Sequence, residues 1–524
     1  MKLIGVVGAG TMGAGIAQVA AQAGYGVVIY DIGPAPLEVG LGRIRSGLER
    51  LAQRGKLSQE ERSAIMGRIA TTTALGDFAE VDFVIEAAPE VLELKREIFV
   101  KLDKVCKPGV VLATNTSSLS VTQISALAGR RELVVGMHFF NPVPAMKLVE
   151  VVEGADSSAA AITQTVELSR AMGKTPVRVK DTPGFVVNRI ARPFPGEALR
   201  LLGENVAGVR QIDRIVRMAG GFRMGPFELM DLVGMDINFA VNRSVFEQFF
   251  YEPRFRPHPL QERMVKANRL GRKTGAGWYR YQDGEIVDGP QGAEFFGNPG
   301  PRLNDVHRVA VLGAPDMEEL VEKAGYRIAD CCADADLVII GDPELLVGRE
   351  PKPEALVLVE ASTLSTTEIA GTLPYPERVV GYGGVPSVLQ RQLVEVAPGF
   401  RTRAQVWQRA VKFIHSLGRD VEVIHDGPGL VAPRIIACLV NEAAFALQEG
   451  IASVDGIDTA MRLGVNYPNG PLDWADTIGP DVILRVLEGL HQQTGEDRYR
   501  PCSTLRKVVA AGGSFYELFD AGEH

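Results

Sequence analysis

The chain has 524 residues, 46% hydrophobic and 23% charged, an ordinary globular composition with enough length for several cores. A net charge of -8 with no basic stripe argues against a nucleic-acid partner, and no apolar run approaches the roughly 18 residues of a membrane span. The first residues enter an apolar run directly, and Cys106, Cys331, Cys332, Cys438 and Cys502 show neither ligand spacing nor pairing, so a reduced cytoplasmic protein with no metal site is expected.

Residues 2 to 31, KLIGVVGAGTMGAGIAQVAAQAGYGVVIYD, alternate as apolar strand, glycine turn, alanine-rich helix and second apolar strand ending in Asp31. Gly8, Gly10 and Gly13 satisfy G-x-G-x-x-G in the context that gives the motif meaning. Gly8 suits a tight turn, Gly10 lets backbone approach a pyrophosphate, and Gly13 allows close helix packing; the phosphates then meet a helix N-terminus, where free N–H groups favour negative charge. A carboxylate at Asp31 accepts a ribose 2'-hydroxyl and repels a 2'-phosphate, so NAD is expected over NADP.

Segment 40 to 68 is an amphipathic helical pair carrying Arg43, Arg45, Arg50, Arg54 and Lys56; such a run is most often a solvated face. Further on, VGMHFFNPVPAMKLVE (135 to 150) flanks a proline-punctuated reversal. If LVVGMHFF and MKLVEVV pair about the turn near Pro144, His138 and Glu150, equidistant from it, fall opposite each other. A carboxylate there would fix the imidazole tautomer and stabilise the imidazolium, as a general acid/base requires; the alternative is a core histidine satisfied locally.

At DTPGFVVNRIARPFPGEALRLL (181 to 202), Thr182 can cap and Pro183 can occupy the first turn, so a long helix is predicted from there, bent or ended by Pro195. GRKTGAGWYRY (271 to 281) closes this part, and a linker rich in glycine and proline follows, within 286 to 305.

The chain then repeats itself. RELVVGMHFFNPVPAMKLVEVVEG (131 to 154) is echoed by PERVVGYGGVPSVLQRQLVEVAPG (376 to 399), VVLATNTSSLSVTQIS by LVLVEASTLSTTEIA, and DTPGFVVNRIARPFPGEALRLL by DGPGLVAPRIIACLVNEAAFAL. The second copy is degenerate: Pro315 stands at the Gly10 position, Glu318 at Gly13, Gly383 at His138 and Glu360 at Asn115, while nearly everything matching 32 to 78 is gone. It should neither bind NAD nor do chemistry and serves as scaffold. The expected fold is therefore α/β plus all-α: a Rossmann-type doubly wound sheet (1 to 182), a helical domain (183 to 285), a degenerate Rossmann-like domain (306 to 426) and a second helical domain (427 to 524).

With GAGTMGAGIAQVAA, TNTSSL, GMHFFNPVPAMKLVEVV, DTPGFVVNRI, GPFELMDLVGMD and GRKTGAGWY in view, the first copy resembles an L-3-hydroxyacyl-CoA dehydrogenase of the 3-hydroxybutyryl-CoA dehydrogenase type. The duplicated layout resembles longer bacterial members, the 3-hydroxyadipyl-CoA dehydrogenases of phenylacetate breakdown among them. The resemblance implies NAD-dependent oxidation of a 3-hydroxyacyl-CoA, with His138 as acid/base, Glu150 as its partner, and Ser117 and Asn188 as donors to substrate oxygens. It also implies Thr11, Met12, Glu90, Lys95 and Asn115 in the cofactor site, and Arg54 and Lys56 on CoA phosphates. Ser117 and Asn188 could instead be helix caps, and Lys95 a surface charge.

Family members more often have one proline where Pro193 and Pro195 stand, and a proline at Arg223; Arg192 or Arg223 could pair with a distal carboxylate of a dicarboxylic acyl chain. In single-copy relatives the helical lobes dimerise, so an intramolecular pseudo-dimer is expected, with any further homo-oligomer left open. The rival readings are a non-catalytic dinucleotide-binding structural protein and a dehydrogenase of free 3-hydroxyacids.

Overall fold

A computed structural model describes residues 1–287, 300–342, 345 and 349–520. Most of the expected linker, 288–299, lies outside the described residues, as do the last four residues of the chain. The chain forms two compact units, Met1–Arg189 with Ala446–Asn466, and Ile190–Phe445 with Tyr467–His524.

The first unit is built on an eight-stranded sheet of β1 (Leu3–Val7), β2 (Gly26–Tyr30), β3 (Ile69–Thr72), β4 (Phe83–Glu86), β5 (Val111–Thr114), β6 (Val134–Phe139), β7 (Leu148–Glu153) and β8 (Thr175–Lys180). Their spatial order is 3-2-1-4-5-6-7-8, parallel throughout except where β6 meets β7. The central sequences LIGVV, FVIE and VLAT lack polar alternation because α1 (Thr11–Gln22), α2 (Pro34–Gln53), α3 (Gln59–Gly67), α4 (Leu92–Val105), α5 (Val121–Ser125) and α6 (Ala159–Ala171) connect strands of a sheet buried on both faces. Chain order reverses between β1 and β4, which opens a crevice at their carboxyl ends.

The second copy contributes the helix Val454–Gly464 to this unit, packed on β7 and β8. Gly464 permits the approach: a Cβ there would lie 2.9 Å from side-chain carbons of Leu148 and Val187. Arg189, itself fully buried, forks onto Glu449 through both terminal nitrogens.

The helix expected from Pro183 instead begins as α7 (Val187–Ile190). Asp181 is engaged elsewhere: its carboxylate accepts from Ser120, Val121 and Thr122 and so caps α5. Thr182, the expected cap, has a buried hydroxyl without a partner among the described residues, and Phe185 turns the chain at φ 48. The helix then breaks after Ile190 and resumes as α8 (Pro193–Gly203), so the interruption precedes Pro193 rather than falling at Pro195. Neither proline has an N–H for the carbonyl four residues back. The matching helix Ala432–Gln448 carries no proline after Pro433 and runs unbroken.

In the second unit a seven-stranded sheet repeats the first without a counterpart of β3, as the missing segment demands. Its core includes Leu337, Ile339, Leu358, Val380, Val394 and Phe413. Helices of both copies meet in this unit. Glu197 of α8, 0% exposed, accepts from Arg434 Nε at 2.9 Å, Arg498 Nε at 3.0 Å and Tyr499 Oη at 2.8 Å. Burial opposes its ionisation, but Arg498, Arg434 and Arg200 together hold the carboxyl down to about 2. Arg434 also forks onto Glu204. Aligning EPRFRP (252–257) with EDRYRP (496–501) makes Arg254 the counterpart of Arg498; it lies 3.6 Å from Glu442, the counterpart of Glu197. Likewise Arg189–Glu449 repeats Arg434–Glu204 with the copies exchanged.

Candidate active site

At the nucleotide end, α1 starts from Gly10 with no side-chain cap, which leaves the first-turn donors of Thr11 and Met12 facing outward. The three glycines divide the work differently. Gly8 has φ +100, and a Cβ there would lie 2.7 Å from the Ala87 carbonyl oxygen; a Cβ on Gly13 would lie 1.8 Å from the Gly8 carbonyl oxygen. Both are required by the fold itself. A Cβ on Gly10 would meet no protein atom within 4 Å, so the space above it is open to a pyrophosphate. Asp31 ends β2 with Oδ2 accepting from Ala9 N at 2.7 Å and Oδ1 from Ile32 N at 2.8 Å. These residues fit a dinucleotide: open backbone donors at a helix start, an uncrowded glycine and a carboxylate one strand away.

Strand pairing places His138 directly opposite Glu150 in the antiparallel β6–β7 ladder. Nδ1 of His138 lies 2.7 Å from Glu150 Oε2, and the other oxygen accepts the N–H groups of Val186 and Val187 at 3.1 and 2.9 Å. Glu150 is fully buried, while His138 keeps 6% exposure beneath Phe140 and Phe185, whose ring centres lie 4.5 and 5.8 Å away. Because Glu150 takes Nδ1, Nε2 is the ring nitrogen left for other partners. The carboxylate thus orients the imidazole and anchors the start of α7.

Asn188, next in α7, donates through Nδ2 to the Ser117 carbonyl at 3.4 Å, which brings these two predicted residues together. Glu90 organises the turn after β5: its carboxylate accepts from Thr116 Oγ1 at 2.6 Å, Ser117 N at 2.8 Å and Ser118 N at 3.0 Å. Partial burial would raise this carboxyl, but Lys95 and the donated hydrogen bonds leave it below its ordinary range. Lys95 is no surface charge. It is fully buried, with Nζ 2.7 Å from Glu86, 3.2 Å from the Ala88 carbonyl and 3.4 Å from Glu90. Asn115 turns its Oδ1 to Phe139 N at 2.8 Å and so ties β5 to the strand of His138. Sequence reading missed Glu86, the buried carboxylate that holds Lys95, Thr114 and Ala88 N; a glutamate ending the apolar run FVIE was the available signal.

Beside α1 lies a groove of about 1060 Å³, bounded by α2 and the loop Asn141–Ala145. Arg43, Arg50, Arg54 and Lys56 line it, so the basic run of the helical pair faces a cavity.

The second copy keeps this scaffold with different residues at several of the corresponding positions. Glu395 matches Glu150 and still accepts from Val431 and Ala432, but Gly383 stands where the histidine would be. Pro315 heads the helix that replaces α1, and Asp316 and Glu318 occupy its first turn, where they oppose an anion.

The family model described as 3-hydroxyacyl-CoA dehydrogenase, NAD binding domain, matches residues 3–182 and again 347–427. The model for the C-terminal domain of the same family matches 184–281 and 429–514. The chain is 39% identical over 507 residues to the 3-hydroxyadipyl-CoA dehydrogenase of Escherichia coli (strain K12), covering 97% of each chain. It is 42% identical over 283 residues to a probable 3-hydroxybutyryl-CoA dehydrogenase of Bacillus subtilis (strain 168), which spans 54% of this chain and 98% of that protein. A crystal structure of 3-hydroxybutyryl-CoA dehydrogenase from Escherichia coli K12 superposes with a TM-score of 0.82 at 39% identity, covering 98% of this chain and 99% of that one. With both domain models matched twice and the whole length shared with such relatives, the chain belongs to the 3-hydroxyacyl-CoA dehydrogenase family.

Proposed function

We infer that this chain catalyses the NAD-dependent oxidation of L-3-hydroxyacyl-CoA to 3-oxoacyl-CoA, and the reverse reaction. The observation that carries the reading is the buried His138–Glu150 pair on the sheet that also bears the open glycine turn. Gly8, Gly10, Gly13 and Asp31 would hold NAD, whose nicotinamide would supply the hydride acceptor for C3 of the substrate. His138 removes the hydroxyl proton through Nε2, and Glu150 stabilises the imidazolium that results. Ser117 and Asn188 direct donors at the substrate oxygens, a preset arrangement that needs little reorganisation. Glu90, Lys95 and Asn115 shape the nicotinamide end. Arg54 and Lys56, with Arg43 and Arg50 in the same groove, receive the phosphates of CoA.

The acyl group is 3-hydroxyadipyl or 3-hydroxybutyryl; relatives that share the whole length carry one name or the other. Arg192 or Arg223 would pair with the distal carboxylate of the dicarboxylic chain. The four lobes divide at 1–182, 183–285, 306–426 and 427–524, and the two helical lobes form a pseudo-dimer within one chain. Support for that pairing is the set of exchanged ion pairs at Arg434, Arg498, Arg254 and Arg189.

Oxidation of NADH with acetoacetyl-CoA tests the activity. Turnover lost in His138→Ala with NADH binding intact supports the reading; NADH binding without turnover in wild type leaves a structural dinucleotide-binding protein, and activity confined to free acids a different dehydrogenase. Comparing kcat/KM for the two thioesters in wild type, Arg192→Ala and Arg223→Ala decides the acyl group, since an equal loss on both removes the distal-carboxylate role.

A further inference from the structure

Lys174 is a charged group kept from water with no carboxylate to meet it among the described residues. It is 8% exposed, forms no ion pair among the described residues, and directs Nζ to two main-chain carbonyls, Val143 at 2.6 Å and Met146 at 2.8 Å. An ammonium buried on carbonyl dipoles alone is expensive to hold, and burial pushes its pKa down to about 8.

Both carbonyls belong to the loop that joins β6 to β7, whose residues Asn141–Ala145 form one wall of the groove beside α1. Val143 at its tip packs against α1 so closely that a Cβ on Gly15 would lie 2.8 Å from it. The loop therefore stands between the glycine-turn helix and the two strands of the acid/base pair. Its own amides do little to hold it: Ala145 and Met146 both donate to the Pro142 carbonyl, two bonds internal to the loop. Lys174 reaches it from outside, from a position set by Gly173 at φ +73 and by Thr175 N donating to the Lys147 carbonyl at 2.8 Å.

The degenerate copy repeats the device with a different cation. Arg419 follows Gly418 at φ +74, and Asp420 N donates to the Gln392 carbonyl, as Thr175 does to Lys147. Nε of Arg419 donates to the Val388 carbonyl at 2.9 Å and Nη2 to the Leu389 carbonyl at 3.3 Å, on the corresponding loop. A cation retained where histidine and cofactor turn are gone serves the loop and not the proton transfer.

We propose that Lys174 is a positioning residue that clamps the 141–147 loop as the wall of the acyl-CoA groove. The proposal rests on the dehydrogenase reading for its kinetic consequence, but the clamp has a readout of its own. In Lys174→Met, KM for acetoacetyl-CoA rises roughly tenfold, the size of about one or two lost buried hydrogen bonds, while kcat and the NADH Kd stay within about twofold. The split follows because His138 and Glu150 are held by the strand ladder and not by the loop. Lys174→Arg, which places in this copy the cation the other already uses, restores KM. Independently of turnover, amide hydrogen exchange of the 141–147 segment quickens in Lys174→Met and returns to wild-type rates in Lys174→Arg. Unchanged KM and exchange in folded Lys174→Met, or failure of Lys174→Arg to restore either, overturns the clamp. Wild type inert toward acetoacetyl-CoA overturns the activity instead, and the exchange comparison still decides the clamp.

Discussion

Glu150 and His138 face each other across an antiparallel ladder, and the carboxylate divides its two oxygens between the ring nitrogen and the first N–H groups of α7. One residue therefore sets both the tautomer of His138 and the place of Asn188, one position beyond Val187 in that helix.

Glu150→Gln separates charge from shape. The amide keeps an oxygen for the α7 donors but cannot stabilise an imidazolium, so kcat should fall on the order of 10²–10⁴-fold with the fold retained. Steady-state kinetics beside circular dichroism checks this; a variant within a few-fold of wild type removes the acid/base assignment.

The glycine turn offers a cleaner division. Gly10→Ala meets no protein atom, so its melting temperature should match wild type while NADH affinity drops by roughly tenfold or more. Gly13→Ala drives a methyl into the Gly8 carbonyl and should lose stability as well as binding. Calorimetric titration with NADH and thermal melts of both variants distinguish them, and equal stability losses in the pair would contradict the open cofactor face.

In the second copy Glu395 has no histidine, and burial, reinforced by Glu360 against the Ala432 and Val431 hydrogen bonds, pushes it up to about 7. Between its ordinary value and about 7 the folded chain holds a proton that the unfolded chain has released. The group thus favours the fold at low pH, and this contribution is lost as pH rises through about 7. Relative to wild type, Glu395→Gln should therefore lose about 2–4 °C less in melting temperature between pH 5 and pH 8. Parallel pH profiles would argue against an ionising Glu395.

Cutting the chain after residue 285 removes Arg434 and Arg498 and leaves Glu197 a buried carboxylate with its main partners gone. The shortened chain should aggregate or associate with itself, as sedimentation and light scattering would reveal. A monomeric, soluble, fully active fragment would falsify the pseudo-dimer. Glu197→Ala in the whole chain, which takes from the buried Arg498 its carboxylate and leaves Arg434 with Glu204 alone, should destabilise it by about 3–5 kcal/mol.

The His138–Glu150 pairing and the glycine turn were legible from sequence because they reside in local patterns. Glycine spacing, an acid at a strand end and a symmetric reversal around Pro144 are short-range features, and strand register follows from them once a turn is granted. The divergence of the second copy was legible too, since Pro315, Glu318 and Gly383 stand where the first copy has Gly10, Gly13 and His138.

What the linear pattern could not settle were the claims of distant partners. Asp181 and Thr182 read as the start of a helix, yet Asp181 caps α5 some sixty residues away and Glu150 takes the donors that a cap would have served. For Lys95 the pattern of the helix alone left a surface charge open as the alternative, which Glu86 removes by drawing it inside. Local propensities are worth about 1 kcal/mol or less each, whereas leaving a buried charge or a helix-end donor unpaired costs several times that, so long-range pairing decides where they conflict. The sequence alone thus determined the glycine turn, the register that sets His138 against Glu150 and the positions where the second copy departs from the first; the tertiary structure alone decided where the helices begin and which buried charges meet.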